Sequence, residues 1–163
     1  MVVYLQVGGV MLCNERDIER LNKIFSHPSI WPFIIDDLTP EDAKDGLVNY
    51  YMSVGIILSP DKYSAYVFEP QNNVMYKVHA NVLPEGRNEF TASKAIMVVD
   101  WIFSNTDCHK IVAYVSDIFP NVCKFTEKCG FKQEGVLTKS LLKNGILNDQ
   151  IVFGLNKEDF YHG

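Results

Sequence analysis

Among the titratable side chains of this sequence, His79 has the chemistry best suited to moving a proton near neutral pH, because imidazole changes protonation state between about pH 5 and 8. It lies in VMYKVHANVL, Val74 to Leu83, where Val74, Tyr76, Val78, Ala80 and Val82 fall on one face and Lys77, His79 and Asn81 on the other. That period of two is the mark of a sheet strand, and Pro84 ends it. His79 is read either as a base that takes a proton from an ammonium group or as a polar residue hydrogen-bonded on a half-solvated face. Asn81 orients a substrate amine or simply faces water.

The strand runs through a loop into a helix. Ala92, Ala95, Ile96, Val99, Ile102 and Phe103 recur at steps of three and four, with Thr91 expected as N-cap, so an apolar stripe can lie on a sheet. The loop Arg87, Asn88, Glu89, Phe90, Thr91, Ala92, Ser93 thus ends at a helix start, where unpaired N–H groups favour an anion such as a phosphate. A plain strand-to-helix connection is the other reading. Trp31, Phe33, Tyr50 and Tyr51 are read as walls of an acceptor pocket or as core. Glu41, Asp42 and Asp45 either attract a cation or form a solvated helix face.

The remaining sequence must position these groups. With 163 residues and 47% hydrophobic content, residues 1–163 are expected to form one domain around a single sheet. A formal charge of −5 argues against nucleic-acid binding, which needs clustered Lys and Arg. Cys13, Cys108, Cys123 and Cys129 form no CxxC pair, so neither a metal site nor a disulfide framework is expected. MVVYLQVGGVML is too short to span a bilayer and lacks signal-peptide features, which leaves the cytoplasm as the expected location.

In chain order, the first strand is expected at Val2 to Val7, with a turn at Gly8 and Gly9 leading to Val10 to Leu12. A helix follows from an Asn14 cap to His27. Ile30 to Ile35 reads as an apolar lid that Pro32 keeps from being an ordinary helix interior. Another helix is expected to start at Thr39 and Pro40. Tyr51 to Leu58, Tyr63 to Phe68 and Val74 to Leu83 read as three antiparallel strands. After the central helix come a strand at Ile111 to Val115, a helix from Pro120 to Gly130, and a hairpin of Gly135 to Leu142 with Gln150 to Leu155. The pattern is α/β, a mixed and mostly antiparallel sheet with helices on both faces.

HANVLPEGRNEFTASKAI, HKIVAYV, EKCGFKQEGVL and KNGILNDQIVFGL together resemble the GNAT family of acetyl-CoA-dependent N-acetyltransferases, in particular its ribosomal-protein N-acetyltransferase branch. RDIERLNKIFSHPSIWPFI resembles that branch's first helix and following loop, so the likeness spans nearly the whole chain. It implies a GNAT-like fold, acetyl-CoA as co-substrate, and acetyl transfer to a primary amine of a small molecule or a protein, without nucleic acid or membrane. A homodimer stays open. Ala80, Asn81 and Val82 would bind the pantetheine arm, and the amides of Asn88 to Ser93, after Arg87, the pyrophosphate. Asn121 stands near the family's cofactor-contacting Asn.

The chain departs from the family pattern at Phe90 and Asn88, where glycine is usual. Phe119 replaces the usual Asn, and Thr126 takes the place of the tyrosine acid. These departures support an alternative, a GNAT-fold interaction or assembly module without catalysis. VHANVLPEGR also resembles acetyltransferase-like proteins of tailed bacteriophages.

Overall fold

The computed structural model describes residues 4–7, 10–14 and 16–163. In order the elements are β1 (Tyr4–Val7), β2 (Val10–Asn14), α1 (Ile18–Phe25), α2 (Trp31–Ile34), α3 (Ala43–Val54), β3 (Ile56–Ser59), β4 (Ser64–Pro70) and β5 (Met75–Val82). They continue as α4 (Thr91–Asn105), β6 (Lys110–Ser116), α5 (Pro120–Lys128), β7 (Lys132–Lys143), β8 (Ile146–Asn156) and α6 (Lys157–His162). The start of the first expected strand at Val2 and Val3, and the turn at Gly8 and Gly9, lie outside the described residues.

The strands form one eight-stranded sheet in the order β1-β2-β3-β4-β5-β6-β8-β7. Every neighbouring pair is antiparallel except β5 with β6. That one parallel pair needs a crossover, and α4 supplies it.

Alternation along β4 and β5 separates two cores. Tyr66 and Phe68 point with Tyr76, Val78 and Val82 toward α4, where Ala95, Val98, Val99, Ile102 and Phe103 form the stripe expected from the sequence. Ala65 and Val67 point the other way, onto Leu21, Ile24 and Phe25 of α1 and Val48 and Tyr51 of α3. Helices therefore cover both faces.

Several boundaries differ from expectation. The first helix is capped by Asp17, whose side chain accepts from the Arg20 amide, and Asn14 belongs to β2. Ile30 to Ile35 contains the one-turn helix α2, which tolerates Pro32 because its missing N–H falls among the orphans of a first turn. Thr39 caps no helix; its hydroxyl donates to Asp36 (3.0 Å), and α3 starts at Ala43. Tyr51 is helical, and β3 begins only at Ile56.

The short-range apolar pattern of YYMSVGIIL fits either state, and packing of Val48 and Tyr51 against α1 decides for helix. Gly55 then makes the corner: a Cβ there would stand 2.5 Å from the Phe68 carbonyl oxygen, a contact that excludes any larger residue. In the hairpin, Asn144 and Gly145 both have positive φ, 55° and 73°, the type I′ pattern that closes a two-residue turn. Its strands are longer than expected, reaching back to Lys132 and on to Asn156.

Candidate active site

Backbone direction along β5 decides what that strand offers. Just beyond it, the Leu83 amide donates to the Tyr63 carbonyl on the β4 side (2.9 Å); just before it, the Val74 carbonyl accepts from the Lys110 amide on the β6 side (3.0 Å). Main-chain groups alternate along a strand, so odd-numbered residues bond to β4, while Tyr76, Val78, Ala80 and Val82 turn theirs toward β6.

The β5–β6 ladder ends at Lys77 opposite Val112, although β5 runs on to Val82 and β6 to Ser116. The two strands part. A gap opens at the carboxyl ends of two parallel strands, from which the loop to α4 and the start of α5 depart. Beyond the last pair, the Val78 carbonyl and the main-chain groups of Ala80 face it.

This geometry revises the expected edge Ala80, Asn81, Val82. Asn81 points its backbone at β4, and its buried side-chain amide donates to the Ala65 and His79 carbonyls, both at 3.3 Å. It braces the strand and is not part of the free edge. The Val82 carbonyl is also engaged, by Arg87 Nε at 2.9 Å. Val78 shares with Ala80 the side of the strand that faces β6.

The loop after β5 is a 3-10 turn, Pro84–Gly86, followed by Arg87 to Phe90. Gly86 lies where a Cβ would stand 2.7 Å from the Tyr63 Cβ, so this turn packs tightly on the preceding strand. The Arg87 amide is held by the Pro84 carbonyl (3.1 Å), and its guanidinium also reaches the Ser29 carbonyl (3.3 Å).

Inside the loop, the Asn88 amide donates to Thr91 Oγ1 (2.8 Å), the Phe90 amide to Asn88 Oδ1 (2.9 Å) and the Thr91 amide to the Asn88 carbonyl (3.1 Å). The amides of Glu89, Ala92 and Ser93 make no hydrogen bond among the described residues. Of the seven loop residues, those three are left to receive an anion at the start of α4. Thr91 is the first helical residue and not the cap; the capping position belongs to Phe90, without a side-chain bond.

Phe90 turns outward at the start of α4. Its side chain is 59% exposed and its φ is −90°, and Asn88 also avoids positive φ. Neither position therefore needs glycine for its backbone conformation.

Asn121 is exposed in the first turn of α5, its side chain without a hydrogen-bond partner among the described residues. Thr126 is buried, its hydroxyl donating to the Val122 carbonyl (2.8 Å), so it is unavailable as an acid. Phe119 stacks on Phe33 with ring centroids 4.4 Å apart, joining α2 to the start of α5.

The segment around α2 is tied at its other end to the hairpin. Lys143 Nζ donates to the Pro32 and Ile35 carbonyls, and the Asp37 carboxylate accepts from the amides of Asn144 (3.0 Å) and Gly145 (2.7 Å). Those two amides hold the Asp37 carboxyl below its usual range. The result is an arch from α1 to the hairpin turn. Phe33 belongs to it; Tyr51 is buried core, its ring 5.5 Å from Phe25.

His79 lies two residues beyond the last β5–β6 pair, on the α3 face. Its ring centroid is 5.3 Å from that of Tyr51, and Nε2 is 3.4 Å from Glu69 Oε2. Glu69 also accepts from Tyr50 (2.9 Å) and pairs with Lys77 (3.1 Å). Burial, helped by the Lys77 charge and opposed by Glu69, pushes the His79 pKa below its ordinary 6.5. The imidazole is thus neutral, and able to accept a proton, at pH 7.

The fold of the whole chain is matched in solved structures. A GNAT-family acetyltransferase from Bacillus anthracis superposes with a TM-score of 0.75 at 17% identity, over 96% of this chain and 99% of that one. The fold is that of the GNAT acetyltransferases. A spermidine N-acetyltransferase from Vibrio cholerae, solved with CoA and spermine, is similar at TM-score 0.74 and 16% identity, over 99% of this chain and 98% of that one. A ribosomal-protein-S5-alanine acetyltransferase from Vibrio fischeri gives 0.72 and 13%, over 97% and 98%. No family profile and no curated protein matches the sequence. The GNAT fold thus holds while sequence identity has fallen to a level at which only the architecture is shared.

Proposed function

We propose that this chain, acting as one catalytic domain, transfers an acetyl group from acetyl-CoA to a primary amine. The observation that carries the reading is the early end of the β5–β6 ladder, which leaves the Val78 carbonyl and Ala80 as an open edge on the strand that leads into the loop with the open amides of Glu89, Ala92 and Ser93. An amide-bearing arm fits such an edge as an added strand would, and a diphosphate fits a helix start. The bound thioester supplies an activated acyl carbon.

The chain's own residues do the rest. Val78 and Ala80 orient the arm, the loop amides fix the phosphates, and the Val82 N–H faces the gap where the carbonyl oxygen is to be polarised. His79 takes the proton of the attacking ammonium from the α3 face, and the Phe33 arch limits water. No side chain replaces the tyrosine acid at Thr126, so departure of the thiolate relies on solvent. An open gap also disfavours the alternative of an interaction module with a filled cofactor site.

The acceptor is an amine of a small molecule or of a protein. The neighbours' names include both a polyamine and a ribosomal-protein alanine. No described helix is long and apolar enough to cross a membrane. Calorimetric titration with acetyl-CoA tests the reading, followed by thiol-release assays on spermidine and on an alanine-led peptide. Binding with release of thiol supports it. The absence of both heat and thermal shift at millimolar acetyl-CoA overturns it.

A further inference from the structure

Deepening that reading and resting on it for its catalytic meaning, we propose that Glu69 is a positioning residue that keeps the proton of neutral His79 on Nε2 and so leaves Nδ1 as the nitrogen that accepts from the amine. Glu69 lies on β4 diagonally across from His79 on β5: the register pairs Glu69 with Lys77 and Val67 with His79. Diagonal cross-strand neighbours are within reach of long side chains, and the 3.4 Å contact between Nε2 and Oε2 realises this one.

An ionised carboxylate only accepts, so a neutral imidazole facing it must present N–H, which fixes the tautomer. Nδ1 has no hydrogen-bond partner among the described residues.

The carboxylate is itself fixed. Tyr50 from α3 donates to Oε1, while Lys77 from β5 and His79 share Oε2. Three donors on two oxygens leave Glu69 little freedom to turn, and its side chain is only 13% exposed. The groups facing His79 are therefore Glu69 from β4, Lys77 from its own strand and Tyr51 from α3, with Tyr50 behind Glu69. Lys77 opposes protonation of the ring and Glu69 favours it. Deleting the Glu69 charge while retaining its shape changes that balance in one direction.

The test is nitrogen NMR on histidine-labelled protein, wild type and Glu69→Gln, with Glu69→Ala as a second variant. In the wild type above pH 7.5, His79 is expected to carry its proton on Nε2. In Glu69→Gln its titration midpoint should fall, because the remaining Lys77 charge is then uncompensated. In Glu69→Ala the two tautomers should mix. With spermidine or peptide as acceptor, Glu69→Gln should lower kcat about tenfold while the KM for acetyl-CoA stays within about twofold, the split expected of a residue that acts through the base.

A proton found on Nδ1 in the wild type, or a midpoint unmoved in Glu69→Gln, overturns the proposal even if the protein transfers acetyl groups. A tautomer set as described in a protein that binds no acetyl-CoA overturns only the catalytic role, and with it the transferase reading.

Discussion

Neutral His79 is a consequence of where β5 places it, under Tyr51 and beside Lys77, and its titration has two measurable effects. A base must be unprotonated to work, so kcat/KM for an amine should fall with an acid limb centred below 6.5, the ordinary histidine value. His79→Gln should lose about a hundredfold in kcat and flatten that limb, as measured in initial-rate assays across pH. For stability, the folded pKa lies under the unfolded one. Between the two, the unfolded chain binds more protons, and stability falls as pH drops from 6.5 through the folded value. Urea melts of His79→Gln should show a shallower fall over that window. The histidine itself was legible, because partial alternation from Val74 to Val82 put it on the face with Lys77 and Asn81. Glu69 was not: its meeting with His79 depends on the β4–β5 register, which the turn after Pro70 sets and which no periodicity within either strand reveals.

At the scale of elements, the arch around α2 depends on a clasp at the hairpin turn. Asp37 receives the Asn144 and Gly145 amides because the type I′ turn presents them outward, and Lys143 holds two carbonyls of the α2 segment. Asp37→Ala should therefore speed amide exchange at Asn144 and Gly145 and raise the acceptor KM several-fold while leaving the acetyl-CoA KM near wild type; mass-spectrometric exchange and initial rates check this. Asp37 has a depressed pKa, so the clasp is complete above 3.8 and is lost as pH falls through the lower folded value. The helix start at α4 behaves differently. Phe90→Ala removes an exposed ring from a position of negative φ, and should change stability by no more than about 0.5 kcal/mol in urea melts and leave acetyl-CoA affinity unaltered. From the sequence, the strand, loop and helix around these groups could be read directly, because their periodicities are long and unmixed. The clasp could not, since Asp37 and Lys143 are more than a hundred positions apart and each looks like an ordinary surface charge. Phe90 looked like an obstacle for the converse reason: a motif states which residue is usual, not which φ this loop adopts.

Across the whole molecule, the sheet divides two cores that serve different halves of the proposed reaction. The α4 core underlies the loop amides and the strand edge; the α1 and α3 core underlies His79 and the acceptor side. Cavities in the two should lower stability alike and ligand response unequally. Ile102 and Leu21 are both fully buried, and truncating either to alanine should cost about 2–5 kcal/mol, read from urea melts. In wild type, acetyl-CoA at about a hundred times its Kd should add about 2.7 kcal/mol by mass action, since the gap exists only when folded. Leu21→Ala should keep that increment, because α1 and α3 neither form the loop nor carry α4. Ile102→Ala should keep less of it, because α4 rests on Ile102 and its first turn carries the Ala92 and Ser93 amides. Equal increments in both variants would show that the helix start is held by its own loop bonds, Asn88 to Thr91 and Phe90 to Asn88, with no help from the core beneath it.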